Sequence, residues 1–196
     1  PTLAEGENVH VFVDGERVDM LTATPLANLD LTNRCNMQCP ICFADANSAG
    51  YVYEPDFDTV KKMLDTLRNL EPIKCTAVQF SGGEPTIYPQ IVEAIRYAKQ
   101  IGFAQVQVAT NGIEYAKNYE KLKACAQAGL NTLYLSFDGT EDEIYIMARA
   151  RKMFKVKLDV LANLRKLKQE TGHCPSVVLV CTLVRGVNDH NVGKIL

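Results

Sequence analysis

The sequence lacks an excess of basic charge. Its 21 lysine and arginine residues are matched by 23 aspartate and glutamate residues, which gives a formal net charge of −2 at pH 7. Nonspecific binding to nucleic acid, or to an anionic membrane surface, depends on a basic field that such a chain does not produce. We therefore expect no nucleic-acid partner.

Long apolar runs are also absent. No stretch approaches the roughly 18 consecutive apolar residues of a membrane-spanning helix, and the first residues do not combine a basic segment with an apolar one as a signal peptide does. The sequence therefore predicts no integral membrane segment and a cytoplasmic location.

No linker divides the chain. A length of 196 residues fits one domain, and 47% hydrophobic with 22% charged residues is enough to bury a core, which excludes disorder of the whole chain. Alternating valines from Val9 to Val18 surround an Asp14-Gly15 turn and predict a β-hairpin. We interpret residues 1–25 as an N-terminal hairpin extension and residues 26–196 as the core domain.

The core alternates strand and helix patterns. Helices with apolar faces are predicted at Asp56–Leu70, Pro89–Ile101, Tyr115–Ala128 and Lys155–Thr171, and Thr140 with Glu143 forms a capping-box pattern. This alternation predicts an α/β fold with a parallel sheet, either doubly wound or a barrel without its last unit. Ligands of both folds bind at the carboxyl ends of the strands. The predicted strands are Ala27–Leu31, Thr76–Phe80, Ala104–Ala109, Thr132–Phe137 and Val177–Val184.

Three of the seven cysteines, Cys35, Cys39 and Cys42, follow the first predicted strand of the core with C-x3-C-x2-C spacing. Thiolates this close in sequence can bind one metal centre, and their softness favours zinc or iron–sulfur. Structural zinc needs four protein ligands, and the three histidines have no finger-like spacing. A [4Fe–4S] cluster with three cysteine ligands leaves one iron open. Zinc ligation and plain burial of the cysteines remain the alternatives.

The cysteine spacing resembles the radical S-adenosylmethionine (SAM) superfamily, and so do the segments after the next strands. The resemblance implies a partial (β/α)6 barrel with five units visible and the sixth missing, so that the core is expected to be truncated at its C-terminal end. It also implies a [4Fe–4S] cluster on Cys35, Cys39 and Cys42, SAM as a second cofactor, and cleavage of SAM to a 5′-deoxyadenosyl radical that abstracts a substrate hydrogen.

The segment Ser81-Gly82-Gly83-Glu84-Pro85 resembles the GGEP motif of that superfamily. Adjacent glycines let a ligand approach the backbone, and a carboxylate can receive an ammonium group. The resemblance implies contacts from Gly82, Gly83 and Glu84 to the methionine amino group of SAM. A plain turn at the end of a strand is the alternative.

Later strand ends carry further matches. Thr110-Asn111-Gly112 and Ser136-Phe137-Asp138-Gly139 resemble segments that approach the methionine carboxylate and the ribose, which assigns Asn111, Ser136 and Asp138 to SAM. A strand-end turn is again the alternative for each segment.

Adenine contacts are less sharply assigned. Val187, in a G-V-N-D stretch typical of the branch with the molybdenum-cofactor cyclase and peptide-modifying enzymes, would line the adenine pocket. Ile41 stands where an aromatic residue is usual, with Phe43 two positions later, so either of them would flank the base. Arg149 or Arg151 would pair with the methionine carboxylate, unless both belong to a solvated helix face.

Within the superfamily, the run Cys39–Asn47 most resembles the archaeal tetraether lipid synthases, formerly described as pterin methyltransferases. This implies a transferase of lipid biosynthesis that forms carbon–carbon bonds between lipid chains, with a lipid or other small-molecule substrate and an electron donor such as ferredoxin or flavodoxin. A lipid substrate would also allow peripheral membrane association. The alternatives are a cyclase or peptide-modifying enzyme with the same core, and a noncatalytic iron–sulfur or zinc domain.

The cysteine interpretation makes a direct prediction. Protein prepared without oxygen should be brown and hold about four irons per chain. Replacing Cys35, Cys39 or Cys42 with alanine should remove the iron, whereas Cys174→Ala, a thiol outside the motif, should retain it. Iron and sulfide analysis measures both results. A colourless protein with stoichiometric zinc would contradict the prediction.

Overall fold

The computed structural model describes residues 10–13, 16–19, 25–70 and 74–195. Strands β1, His10–Val13, and β2, Glu16–Asp19, pair antiparallel, as expected for the predicted hairpin. Its Asp14-Gly15 turn lies outside the described residues. The division of the chain at residue 25 stays a prediction.

Five parallel strands form the main sheet, and they lie side by side in the order in which they occur in the chain. This confirms the predicted α/β class with a parallel sheet of five strands. Consecutive order means that each helical connection leads to the neighbouring strand. The strands are β3 Leu26–Thr32, β4 Ala77–Gly82, β5 Gln105–Thr110, β6 Thr132–Ser136 and β7 Ser176–Val180.

Helices connect the strands. Helix α1 starts after Asp56, whose side chain accepts a hydrogen bond from the Thr59 amide at 2.7 Å, and α6 ends at the left-handed Gly172. The helices are α1 Phe57–Arg68, α2 Ile91–Gln100, α3 Ile113–Lys117, α4 Tyr119–Ala128, α5 Asp142–Arg149 and α6 Phe154–Thr171.

The core lies between the helices and one face of the sheet. Alternate strand residues, such as Phe80 in β4 and Leu133 in β6, are fully buried because successive side chains of a strand point to opposite faces. The other face is more polar. There the Gln79 amide donates to the side-chain oxygen of Gln107 at 3.3 Å.

Most helix ends lie within two residues of the prediction, but two helices differ from it in ways that a side chain explains. The expected helix Tyr115–Ala128 is divided at Asn118, whose side chain caps α4 by accepting from the Lys121 amide at 3.0 Å. The capping box at Thr140 was wrong. Helix α5 starts after Glu141, and the Thr140 amide and hydroxyl donate instead to the side-chain oxygen of Asn191.

Strand β7 is shorter than predicted, because the chain leaves the sheet after Val180. Asn188 is fully buried and bonds the departing segment on both sides. Its amide donates to the carbonyls of Thr182 at 2.8 Å and Asp138 at 2.9 Å, and its oxygen accepts from the Val184 amide at 2.7 Å. These bonds hold the segment after β7 against the end of β6.

Among the helices of the described ranges, none is long and apolar enough to cross a membrane.

The Asn188 bonds generate a stability prediction. Asn188→Ala leaves one buried backbone group, the Asp138 carbonyl, and two partly buried ones without these partners, and an unsatisfied buried group costs about 1 to 3 kcal/mol. We expect the free energy of unfolding, measured by urea denaturation, to fall by at least that amount. His190→Ala, at an exposed neighbour, should change it by no more than about 0.5 kcal/mol. Equal stability of the two variants would contradict the assigned role.

Candidate functional site

The carboxyl ends of the strands bring the sequence motifs to one edge of the sheet. The Gly83 amide donates to the Thr32 carbonyl at 2.7 Å, and the Glu84 amide donates to the Arg34 carbonyl at 2.9 Å. The glycine segment after β4 therefore lies directly against the start of the cysteine loop. Two segments that are about 50 residues apart in the chain are thus adjacent at this edge of the sheet.

Asn47 shapes the cysteine loop, residues 35–42, from its far side. Its side-chain oxygen accepts from the Cys35 amide at 2.9 Å, and its amide donates to the carbonyls of Cys35 at 3.0 Å and Met37 at 3.1 Å. Asn47 has a positive φ of 72°, which asparagine tolerates better than most residues. Sequence reasoning included Asn47 only as the end of the Cys39–Asn47 run.

Arg34 braces the same loop against the segment that follows it. Its guanidinium donates to both carboxylate oxygens of Glu54, at 2.6 and 2.8 Å. The Asn33 side chain accepts from the Tyr53 amide at 2.9 Å and donates to the Tyr51 carbonyl at 2.9 Å. The loop that carries the cysteines is thus closed at its base.

The three cysteine thiols are free and half-buried. Burial raises the pKa of Cys35 to about 11, and the charges of Glu84, Cys39 and Cys42 raise it further, against a backbone hydrogen bond from Met37 that lowers it. Neighbouring thiolates that repel one another gain from a bound metal centre. Among the described residues, no group of three metal-ligating side chains is arranged around one point. The fit to an iron–sulfur cluster comes from the chemistry of the donors, which are three soft thiols in one loop.

The Glu84 carboxylate is buried beneath the cysteine loop, with 1% of the residue exposed. One oxygen accepts from the Thr86 amide and hydroxyl and from the Thr110 hydroxyl, and the other accepts from the Asn111 amide at 2.8 Å. Burial raises the pKa of Glu84, whereas these hydrogen bonds lower it. The predicted contact from Glu84 to a methionine amino group would have to share a carboxylate that already joins two strand ends.

Gly82 and Gly83 pack against backbone. A Cβ atom at Gly83 would lie 2.1 Å from the Arg34 carbonyl oxygen, and one at Gly82 would lie 2.4 Å from the Thr32 oxygen. Gly82 also has a φ of 112°, in the region that favours glycine. These glycines let the second strand end approach the cysteine loop, and their predicted contact with SAM stays a prediction.

Asn111 connects the cysteines to the third strand end of the core. Its side-chain amide lies 3.9 Å from the Cys35 sulfur and donates to the Asn36 side-chain oxygen at 2.8 Å. Its own oxygen accepts from the Ile113 amide at 3.0 Å. The structure therefore brings this predicted SAM ligand next to a predicted cluster ligand.

Asp138 and Arg149 form a buried ion pair. The guanidinium donates to the two carboxylate oxygens at 2.7 and 2.9 Å, and the Thr182 amide donates to one of them at 3.2 Å. Burial lowers the pKa of Arg149, but its bonds to Asp138 and Cys39 outweigh that effect and raise it overall. Arg151 is exposed. The two residues assigned to SAM from the sequence thus already bind each other.

The remaining predicted SAM contacts surround this centre. Ser136 is the last residue of β6. Val187 is half-buried in a turn, and its own amide donates to the Val184 carbonyl at 3.0 Å. Ile41 is half-buried, whereas the Phe43 side chain is fully exposed. A cleft of about 480 Å³ borders the cysteine loop and is lined by Cys35, Asn36, Met37, Gln38, Asn47, Arg149, Ala150 and Arg151.

Lys157 is a site residue that the sequence prediction missed. It lies on the face of α6 that also buries Val160 and Leu164, and its ammonium donates to the Asn111 carbonyl at 2.6 Å. Burial lowers its pKa to about 8, although the charge of Asp138 acts in the opposite direction. A lysine at a core position of an amphipathic helix was the signal available in the sequence.

Comparison with known proteins shows which family carries these strand-end motifs. Residues 29–196 match the family described as the Radical SAM superfamily. A 7,8-dihydro-6-hydroxymethylpterin dimethyltransferase from Methanocaldococcus jannaschii is 49% identical over 175 residues, which cover 89% of this chain and 33% of that protein. A GTP 3′,8-cyclase from Limosilactobacillus fermentum is 29% identical over 164 residues, covering 82% and 46%. The chain thus spans a third to a half of these relatives.

Solved structures share the fold. Streptococcus suis SuiB bound to S-adenosylmethionine superposes with a TM-score of 0.63 at 16% identity, covering 88% of this chain and 37% of that one. Methylornithine synthase gives a TM-score of 0.60 at 17% identity, covering 83% and 45%.

The close approach at Gly83 generates a prediction. In Gly83→Ala the new methyl group must displace the Arg34 backbone, and overpacking of this kind costs about 1 to 3 kcal/mol. Because Arg34 precedes Cys35, we expect reduced iron loading as well as reduced stability. Iron analysis after reconstitution and urea denaturation measure the two effects.

Gly193→Ala is the matched control, since a Cβ atom there meets nothing within 4 Å. It should load iron as the unchanged protein does. Full iron loading of Gly83→Ala would show that the cysteine loop does not depend on this contact.

Proposed function

The chain belongs to the radical SAM superfamily, and from this premise we propose that it is the cofactor-binding core of an enzyme that generates a substrate radical. Its cofactors are a [4Fe–4S] cluster and SAM. When bound and reduced, this pair supplies a 5′-deoxyadenosyl radical that abstracts a hydrogen atom from the substrate. The observation that carries the proposal is that the Gly83-Glu84 segment bonds to Thr32 and Arg34, directly before the cysteine loop, while Asn111 contacts Cys35 within it.

We assign the three cysteines to the cluster and the surrounding polar groups to SAM. Cys35, Cys39 and Cys42 would be the metal ligands. Asn111 donates toward Cys35 and lies beside the carboxylate of Glu84, so the two residues mark the boundary between the cluster and the SAM site. The Asp138–Arg149 pair would have to open, or offer its remaining hydrogen-bonding capacity, to contact SAM.

The substrate we propose is a lipid chain, joined through a new carbon–carbon bond. Its support is the resemblance of the run Cys39–Asn47 to tetraether lipid synthases. Such an enzyme would be cytoplasmic, would meet the membrane surface peripherally, and would receive electrons from a ferredoxin or flavodoxin.

A second candidate is methyl transfer to a pterin. It is favoured by the 49% identity with the protein named as a pterin dimethyltransferase. Cyclisation is supported by the more distant relatives named as cyclases. All three reactions would use the same core, so the core by itself does not choose among them.

The first test addresses the core. Protein reconstituted anaerobically with iron and sulfide, reduced and given SAM, should release 5′-deoxyadenosine, measured by chromatography. Cys39→Ala should release none, whereas Cys125→Ala, a buried thiol away from the loop, should retain the activity. A loaded and reduced protein that leaves SAM intact would identify a noncatalytic iron–sulfur domain.

The second test addresses the substrate. Deuterated lipid and deuterated pterin are offered separately to the complete protein, and deuterium in 5′-deoxyadenosine is measured by mass spectrometry. Transfer from lipid supports the lipid proposal, and transfer from pterin alone supports the second candidate.

A further inference from the structure

Lys157 is a buried charge that neither cofactor assignment uses. Only 1% of the residue is exposed, and it occupies a core position of α6. Lysine is almost never fully buried unless it is paired, because removing an ammonium group from water is costly. A cation kept at such a position calls for a compensating interaction.

The described residues offer that cation little compensation. Its ammonium makes one hydrogen bond, to the neutral carbonyl of Asn111, and lies 5.7 Å from the centre of the Tyr145 ring. Lys157 forms no salt bridge with any side chain in the described ranges. Asp138, the carboxylate that acts most strongly to raise the pKa of Lys157, is already bound to Arg149 through both oxygens. Two of the three ammonium protons thus have no protein acceptor in the described chain.

The position of Lys157 points toward the cysteine loop. The carbonyl that accepts from Lys157 belongs to Asn111, and the side-chain amide of the same residue lies 3.9 Å from the Cys35 sulfur. The ammonium also acts electrostatically on Cys39 and Glu84. One residue therefore separates this cation from the loop that we assign to the cluster.

We propose that Lys157 is a positioning residue whose buried positive charge, fixed behind Asn111, makes the cluster on Cys35, Cys39 and Cys42 easier to reduce. The inference rests on the proposed cluster site. Reduction adds one electron, and therefore one negative charge, to a centre on half-buried cysteines. A fixed cation that is itself buried stabilises the added charge more strongly through the protein interior than it would through water. Net charge around an iron–sulfur cluster is one of the factors that set its potential.

The test removes the charge and measures the cluster without SAM. Lys157→Met and Lys157→Gln are reconstituted, and the reduced fraction is followed by electron paramagnetic resonance at controlled potentials. At a given potential we expect a ratio of reduced to oxidised cluster about tenfold lower than in the unchanged protein, which equals a shift of about 59 mV. Because Gln keeps a hydrogen-bond donor for the Asn111 carbonyl, the potential shift of Lys157→Gln reports the loss of the charge and not the loss of the hydrogen bond.

Two control variants test whether the shift comes from the charge of Lys157 and from its position. Lys157→Arg keeps the charge and should stay close to the unchanged protein. Lys99→Met removes another half-buried ammonium, one bonded to the carbonyls of Phe103 and Ala104 at the opposite end of the sheet, and should leave the potential unchanged.

Three outcomes would overturn the proposal. The first is an unchanged potential in iron-loaded Met and Gln variants. The second is weakened SAM binding at an unchanged potential, which would make Lys157 a SAM ligand. The third is loss of the cluster from both uncharged variants while Lys157→Arg loads, which would indicate a structural role. Absence of a cluster from the unchanged protein would instead contradict the proposed function.

Discussion

The buried carboxylate of Glu84 is the interaction on which the site depends. It accepts hydrogen bonds from Thr86, Thr110 and Asn111, while the amide of the same residue donates to the Arg34 carbonyl. One residue thereby joins the ends of three neighbouring parallel strands. A carboxylate can do this because it has about four acceptor positions and fixed geometry. The cysteine loop is held above this centre.

Close backbone contact is the second requirement. Gly83 meets the Arg34 carbonyl where no Cβ atom fits, and Asn47 closes the other side of the loop through three hydrogen bonds. Gly83 is therefore needed for the close packing of the loop even without a bound ligand. Residues that a motif assigns to a cofactor here also determine the shape of the loop that carries its ligands.

The buried charges of this region are compensated to different degrees. Asp138 and Arg149 neutralise each other directly, whereas Glu84 and Lys157 are each held mainly by uncharged partners. A site of this kind has little water to screen its charges, so each one acts over a longer distance than at the surface. Through its position beside Asn111, the charge of Lys157 would raise the reduction potential of the cluster that we assign to the cysteines.

Local patterns in the sequence determined the fold class. Strand periodicity, helix-ending glycines and the order of the strand-end motifs predicted the five parallel strands and the superfamily, because each of these signals lies within a few consecutive residues. Tertiary structure alone decided the pairing of Asp138 with Arg149, the hydrogen bonds of Glu84, the end of β7 at Val180 and the burial of Lys157. These depend on groups that are far apart in the chain and meet only when the strands align. Their geometry follows from packing, which no local pattern encodes.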